Sequence, residues 1–181
     1  MLEAIYGSHP VGMYMAALTQ VADILLPQVE NQSMPVVVPV GFDQDPHIRL
    51  TRDIAKKHGL TPPSSTYLKF IPSLLGVERK MSKREPKGVI MLSEEPSKAR
   101  EKIMKYAFTG GRVTLEEHRA KGGDPSIDVP YQYLRYLMKS DAELARLKAQ
   151  YESGELLSGE MKIILADVVE DFLVSHQRKR E

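Results

Sequence analysis

Met34-Pro35-Val36-Val37-Val38-Pro39-Val40-Gly41-Phe42-Asp43-Gln44-Asp45-Pro46 is the stretch on which the fold turns. Its first eight residues form an apolar, β-branched run closed by glycine. That pattern predicts a short parallel-sheet strand buried on both faces. Asp45-Pro46 predicts a helix start, with a capping residue before a proline at the first helical position. The helix should run through Ala55 and stop near Gly59.

Working outward, Val11 to Leu26 reads as a helix with Met15, Leu18, Ala22 and Leu25 on one face, and Pro27 helping to end it. Thr66 to Phe70 reads as a second strand. A loop follows, then Gly88-Val89-Ile90-Met91-Leu92 as a third. Beyond Leu92 the period changes. Ser93-Glu94-Glu95-Pro96 is a helix start with acidic residues at the positive end of the dipole. Helical patterns follow at about 94–108, 113–121, 130–139, 141–152 and 156–179, punctuated by Gly110-Gly111 and Gly122-Gly123. The expected architecture is therefore α/β followed by all-α, with residues 1–92 in one part and 93–181 in the other. About three strands is short of the usual five or six of an open parallel sheet, so residues 1–92 read as the back half of a larger α/β domain.

Composition narrows the function classes. The chain has 181 residues, 27% of them charged and 42% hydrophobic, which excludes wholesale disorder. It has no cysteine, hence no disulfide framework, zinc ribbon or thiol nucleophile. A net charge of +1 excludes a broad polycationic nucleic-acid binder but not a local basic site. No stretch approaches the roughly 18 to 20 apolar residues of a membrane span. Met1-Leu2-Glu3-Ala4 lacks the basic start of a signal peptide, so the expectation is a cytoplasmic protein with no membrane partner.

Four groups of residues could carry chemistry. Arg79, Lys80, Lys83, Arg84 and Lys87 crowd into nine positions opposed only by Glu85. Within them, Lys80-Met81-Ser82-Lys83-Arg84 can present two ammonium groups and a hydroxyl to a polyphosphate; equally, it can be a solvated basic loop. Gly41-Phe42-Asp43-Gln44 sits at the carboxyl end of the apolar strand, where open α/β sheets bind ligands. There a carboxylate can accept from ribose hydroxyls, or Asp43 or Asp45 can simply cap the next helix. Gln20 and Asp23 share a helix face near the apolar stripe, either toward a polar ligand group or at its wet edge. Tyr131, Tyr133 and Tyr136 can stack on bases or pack within a helix bundle. His9, His47, His58, His118 and His176 show no metal-ligand spacing, and the sequence has no Walker loop or dinucleotide glycine fingerprint.

Taken together and in order, these motifs resemble the class I aminoacyl-tRNA synthetases. Lys80-Met81-Ser82-Lys83-Arg84 is similar to their KMSKS loop, and Gly41-Phe42-Asp43-Gln44 to their Gly-x-Asp-Gln motif. Asp45-Pro46 and the helix through Ala55 resemble the tryptophanyl rather than the tyrosyl enzymes, which usually carry Arg or Lys after Asp-Gln. Ala107-Phe108-Thr109-Gly110-Gly111-Arg112, Glu116-Glu117-His118-Arg119, Gly122-Gly123 and Asp128-Val129 resemble the archaeal and eukaryotic tryptophanyl branch.

The resemblance implies the back half of a Rossmann-like nucleotide-binding domain over 1–92 and a helical anticodon-binding domain over 93–181. It implies an ATP-dependent tryptophan–tRNA ligase, with ATP as substrate together with Mg²⁺, and tryptophan and tRNA-Trp as partners. The full-length family is usually homodimeric, and DNA is not among its partners. By position, Gln20 meets the amino-acid ammonium, Asp23 lies where relatives read the side chain, and Gln44 meets the carboxylate region. Asp43 meets the ATP ribose. Lys80, Ser82 and Lys83 hold the phosphates, with the Met81 backbone near adenine; the two lysines are the catalytic pair. No resident metal site is implied. Arg84 stands where the family usually has serine. The His-Ile-Gly-His motif is not in the sequence, and Gly7-Ser8-His9-Pro10 follows no predicted strand. The resemblance thus implies a carboxyl-terminal portion, inactive alone. The competing readings are a non-catalytic tRNA-binding module and a tyrosyl-tRNA synthetase.

Overall fold

A computed structural model describes residues 7–31 and 34–180. Met1 to Ala4, whose composition bears on targeting, lies outside the described residues. The chain divides into two compact units, 1–70 and 71–181.

In the first unit, helix α1 (Val11–Glu30) leads to strand β1 (Val37–Gly41), a single 3₁₀ turn (Phe42–Gln44), helix α2 (Asp45–Lys57) and strand β2 (Ser64–Leu68). The two strands pair in parallel, Val37 opposite Ser64 through Gly41 opposite Leu68. This is the expected strand–helix–strand unit, because a parallel pair needs a crossover. Ala17, Val21 and Leu25 of α1 pack on Leu50 and Ala55 of α2.

Four expectations change here. The strand is not buried on both faces: Val37 is 62% exposed, because no further layer covers β1 among the described residues. The buried stripe of α1 is Ala17, Val21, Ile24, Leu25 and Gln28, rotated from the expected one, so Met15 and Ala22 stay exposed. Pro27 does not end α1, which runs on to Glu30. Pro27 lacks only a donor, and its carbonyl still accepts from Asn31 N–H at 3.0 Å. Asp45 is the first helical residue rather than the cap, because the 3₁₀ turn moves the helix start to Gln44.

The second unit opens with an antiparallel hairpin, β3 (Pro72–Ser73) and β4 (Gly76–Lys80), where a loop was expected. A 3₁₀ turn (Pro86–Gly88) follows. Helices α3 (Pro96–Tyr106), α4 (Leu115–Lys121), α5 (Val129–Leu137), α6 (Asp141–Glu152) and α7 (Ser158–Arg178) complete it. The expected third strand, Gly88–Leu92, does not form. The segment passes beneath the hairpin instead: Gly88 C=O accepts from Leu74 N–H at 3.0 Å, and Val89 C=O accepts from Lys102 Nζ at 3.1 Å. A Cβ at Gly88 would collide with Ser73 Oγ.

Three of these helices start where side chains supply the missing acceptors. Thr114 accepts from Glu117 N–H, Asp128 from Tyr131 N–H and Ser140 from Glu143 N–H. One core joins Ala99 and Ile103 of α3, Val129, Tyr133 and Leu134 of α5, Leu147 and Tyr151 of α6, and Met161, Leu165, Val169 and Leu173 of α7. Leu74 is part of it, and Ile71, Val77, Met81 and Ile90 pack against it. Division by packing therefore falls at 70, earlier than the change of pattern near 92, because the hairpin's apolar residues are spent on the helical core.

Candidate functional site

The residues expected to handle the amino acid and ribose lie in the first unit. Gln20, half-buried on α1, donates from Nε2 to Gln44 Oε1 at 3.1 Å. Two amides 24 positions apart thus meet at the carboxyl end of β1, each with hydrogen-bonding capacity left for a ligand. Asp43, beside Gln44 in the 3₁₀ turn, is exposed, as is Asp23 one helical turn beyond Gln20. Gln44, the cap residue of α2, makes no side-chain capping bond to that helix.

Asp45 has a structural task that sequence reasoning missed. Its carboxylate accepts from Tyr67 Oη at 2.6 Å and pairs with Arg49 at 2.6 Å, tying the start of α2 to β2. The Tyr67 hydroxyl, and then Arg49, hold the Asp45 carboxyl below the ordinary carboxylate range; Asp45 in turn raises the Tyr67 phenol. An i,i+4 pairing of Asp45 with Arg49 is visible in the sequence, but the partner on β2 is not.

The residues expected to handle phosphates lie in the second unit. Lys80 ends β4, and Met81 to Glu85 turn away from the hairpin. The turn closes on itself. Ser82 Oγ accepts from Arg84 N–H at 3.3 Å, Ser82 C=O accepts from Glu85 N–H at 2.9 Å, and Arg79 pairs with Glu85 at 3.4 Å. Lys80, Ser82 and Lys83 are exposed, and Met81 is half-buried against the helical core. The apolar residue is thus an anchor, and its neighbours can face a ligand. Two cations so placed can offset charge on an oxygen-rich anion.

Of the three tyrosines that could stack on bases, Tyr131 and Tyr133 are buried in the core of the second unit. Tyr136 is exposed. Behind the helices lies a sealed polar cluster. Asp128 has no exposed surface and accepts from Gly110 N–H at 2.9 Å, Tyr131 N–H at 2.8 Å and Tyr151 Oη at 2.7 Å. Burial raises its carboxyl above the ordinary range. Tyr151 Oη also meets Ser158 Oγ at 3.0 Å. These bonds join α5, α6 and α7 around a carboxylate that has no exposed surface to offer a substrate. Among the described residues no group of three or more His, Asp or Glu could hold a metal ion, and no helix is long and apolar enough to cross a membrane.

Residues 17–174 match the family described as tRNA synthetases class I (W and Y). The tryptophan–tRNA ligase of Methanocaldococcus jannaschii is 45% identical over 99% of this chain and 51% of its own length. The solved tryptophanyl-tRNA synthetase of Aeropyrum pernix superposes with a TM-score of 0.89 at 43% identity, over 98% of this chain and 49% of that one. The tyrosyl-tRNA synthetase from the same organism reaches 0.68 at 23% identity, over 88% of this chain and 46% of that one. The chain spans about half the length of the relatives it matches.

Proposed function

Since the chain belongs to the class I tRNA synthetases of the tryptophan and tyrosine type, we propose that it supplies the KMSKR-bearing half of a tryptophan–tRNA ligase. The observation that carries the proposal is the Gln20–Gln44 hydrogen bond at 3.1 Å. It joins two residues that the resemblance assigns to the amino acid, at the end of a parallel strand where such ligands bind.

In the proposed reaction the tryptophan carboxylate attacks the α-phosphate of ATP. The bond from the α-phosphorus to the bridging oxygen breaks, and pyrophosphate leaves. The tryptophanyl group then moves from the adenylate to a terminal ribose hydroxyl of tRNA-Trp, releasing AMP. Gln20 receives the ammonium, Gln44 the carboxylate region and Asp43 the ATP ribose, with Asp23 near the indole. Lys80, Ser82 and Lys83 take the phosphates, and the Met81 backbone lies near adenine. Magnesium enters with ATP as its counter-ion. The lysines offset charge that grows on the departing pyrophosphate, and the loop closes over the nucleotide. The front half of the Rossmann-like domain, with its His-Ile-Gly-His motif, is required for turnover. The helical part over 93–181 is assigned to the anticodon, and the reaction to the cytoplasm.

A homodimer is part of the proposal, and α1 supports it. Val11, Met15, Leu18, Ala22, Leu26 and Val29 fall on a single second stripe of that helix, spaced at three and four residues. Val11 is 74% exposed and Val29 65%. An apolar stripe left bare beside a buried one fits a contact with another copy.

Pyrophosphate exchange and tRNA titration test the reading. The chain alone should bind tRNA-Trp and show negligible tryptophan-dependent exchange. Turnover near that of a full-length enzyme contradicts the need for a front half. Tight tRNA binding without measurable MgATP binding favours a non-catalytic tRNA-binding module.

A further inference from the structure

The hairpin bearing the basic loop is held from the helical side at the residue facing its first lysine. Pro72 pairs with Lys80 across β3 and β4, whereas Ser73 pairs with Gly76, so the register shifts between two successive residues. A two-residue strand with such an irregularity specifies the position of its partner weakly. Pro72 weakens it further, since it has no N–H to give to the ladder. Its carbonyl does have a partner: Tyr133 Oη on α5 donates to Pro72 O at 2.7 Å. Tyr133 is 4% exposed, and burial drives its hydroxyl far above the ordinary phenol range, so it remains a donor. The exit of the loop is secured separately, through Leu74 N–H on Gly88 C=O and Lys102 Nζ on Val89 C=O.

We propose that Tyr133 is a positioning residue for the phosphate-gripping loop, fixing through Pro72 the strand position from which Lys80 meets a triphosphate. This rests on the ATP function proposed above for Lys80 and Lys83. The hydroxyl touches no nucleotide; it sets where the ammonium starts from.

The full chain carrying Tyr133→Phe keeps the buried ring and loses only the hydroxyl. Tyr151→Phe is the matched control, removing a buried hydroxyl bonded to Asp128 in the same unit. Magnesium tripolyphosphate is the probe, titrated calorimetrically, with hydrogen exchange read over residues 71–84. Tyr133→Phe should weaken tripolyphosphate binding about five- to tenfold, the scale of one buried hydrogen bond. Exchange in 71–84 should accelerate by a similar factor, while Tyr151→Phe leaves both readouts at the wild-type value. Unchanged affinity in Tyr133→Phe overturns the inference, and so does an equal loss in Tyr151→Phe, which marks a general effect of stability. If wild type binds no tripolyphosphate while exchange still responds to Tyr133→Phe, the phosphate function of the loop fails and Tyr133 only braces the hairpin.

Discussion

Replacing Asp128 by asparagine tests whether the sealed polar cluster organises the helical unit. The change conserves shape and removes an acceptor. In the wild type one carboxylate oxygen takes Tyr131 N–H, and the other takes both Gly110 N–H and Tyr151 Oη. An amide has one oxygen. Turned toward Gly110 and Tyr151, it leaves the Tyr131 N–H facing another donor and uncaps α5, at about 1 kcal/mol for the cap. Turned the other way, it leaves Gly110 N–H unpaired in the interior, at about 1–3 kcal/mol. Either way the surviving bonds lose the strength a charged acceptor gave them. The expected loss is about 2–4 kcal/mol, a large share of the roughly 5–15 kcal/mol typical of a folded domain. Urea unfolding of wild type and variant measures it.

The pH dependence is a second, sharper readout. Burial raises the folded-state carboxyl above the ordinary value of 3.8. In that window the folded state binds the proton more readily than the unfolded one. Wild-type stability from this group therefore rises as pH falls through the raised value, and levels off below 3.8. Asparagine has no such gain, so the gap between wild type and variant should widen on acidification. A loss under about 1 kcal/mol, or a gap that narrows toward low pH, refutes the account in which burial outweighs the three donors.

Two further outcomes follow from local geometry. Gly122 has φ +69°, and a Cβ there would run into the Glu152 carbonyl at the end of α6; Gly122→Ala should cost about 2–4 kcal/mol in urea unfolding, combining backbone strain with overpacking. Asp45 has its carboxyl lowered below 3.8 by Tyr67 and Arg49, so its tie to β2 should be intact above that value and lost as pH falls through the lowered one; the Asp45→Asn variant should lack that acid-dependent loosening, read as hydrogen exchange in α2.

What could be read without coordinates depended on how local the cause was. The five helices of the second unit stand close to their expected positions, and Thr114, Asp128 and Ser140 cap three of them from adjacent sequence. The hairpin and the missing third strand were illegible for the opposite reason. Gly88-Val89-Ile90 carries a strand's apolar pattern, but its backbone is engaged by Leu74 and Lys102, many residues away. On α1 two apolar stripes compete, and sequence cannot say which of them faces α2. Gln20, Asp23 and Gln44 were each identifiable; that the two amides touch while Asp23 stays exposed required the fold. Tyr133, open in the sequence between base stacking and packing, is a packing residue. Its hydroxyl partner lies 61 positions upstream, beyond any local pattern.

The two ways of dividing the chain answer different questions, and their disagreement has a consequence. Hydrophobic period changes near 92, where the strand-like run Gly88–Leu92 gives way to helical patterns. Packing changes at 70 because Leu74 and Val89 are buried in the second unit and Met81 leans on its core. Lys80 and Lys83 are consequently exposed side chains on a segment whose two ends are rooted among helices. Strain introduced into that helical core has a short path to the loop, through the Tyr133–Pro72 and Lys102–Val89 hydrogen bonds. The cations inherit their placement from residues that carry no charge of their own toward a ligand. Substitutions in the interior of α3 and α5 should therefore disturb anion binding before they disturb the Gln20–Gln44 pair, which owes its geometry to α1 and the turn after β1.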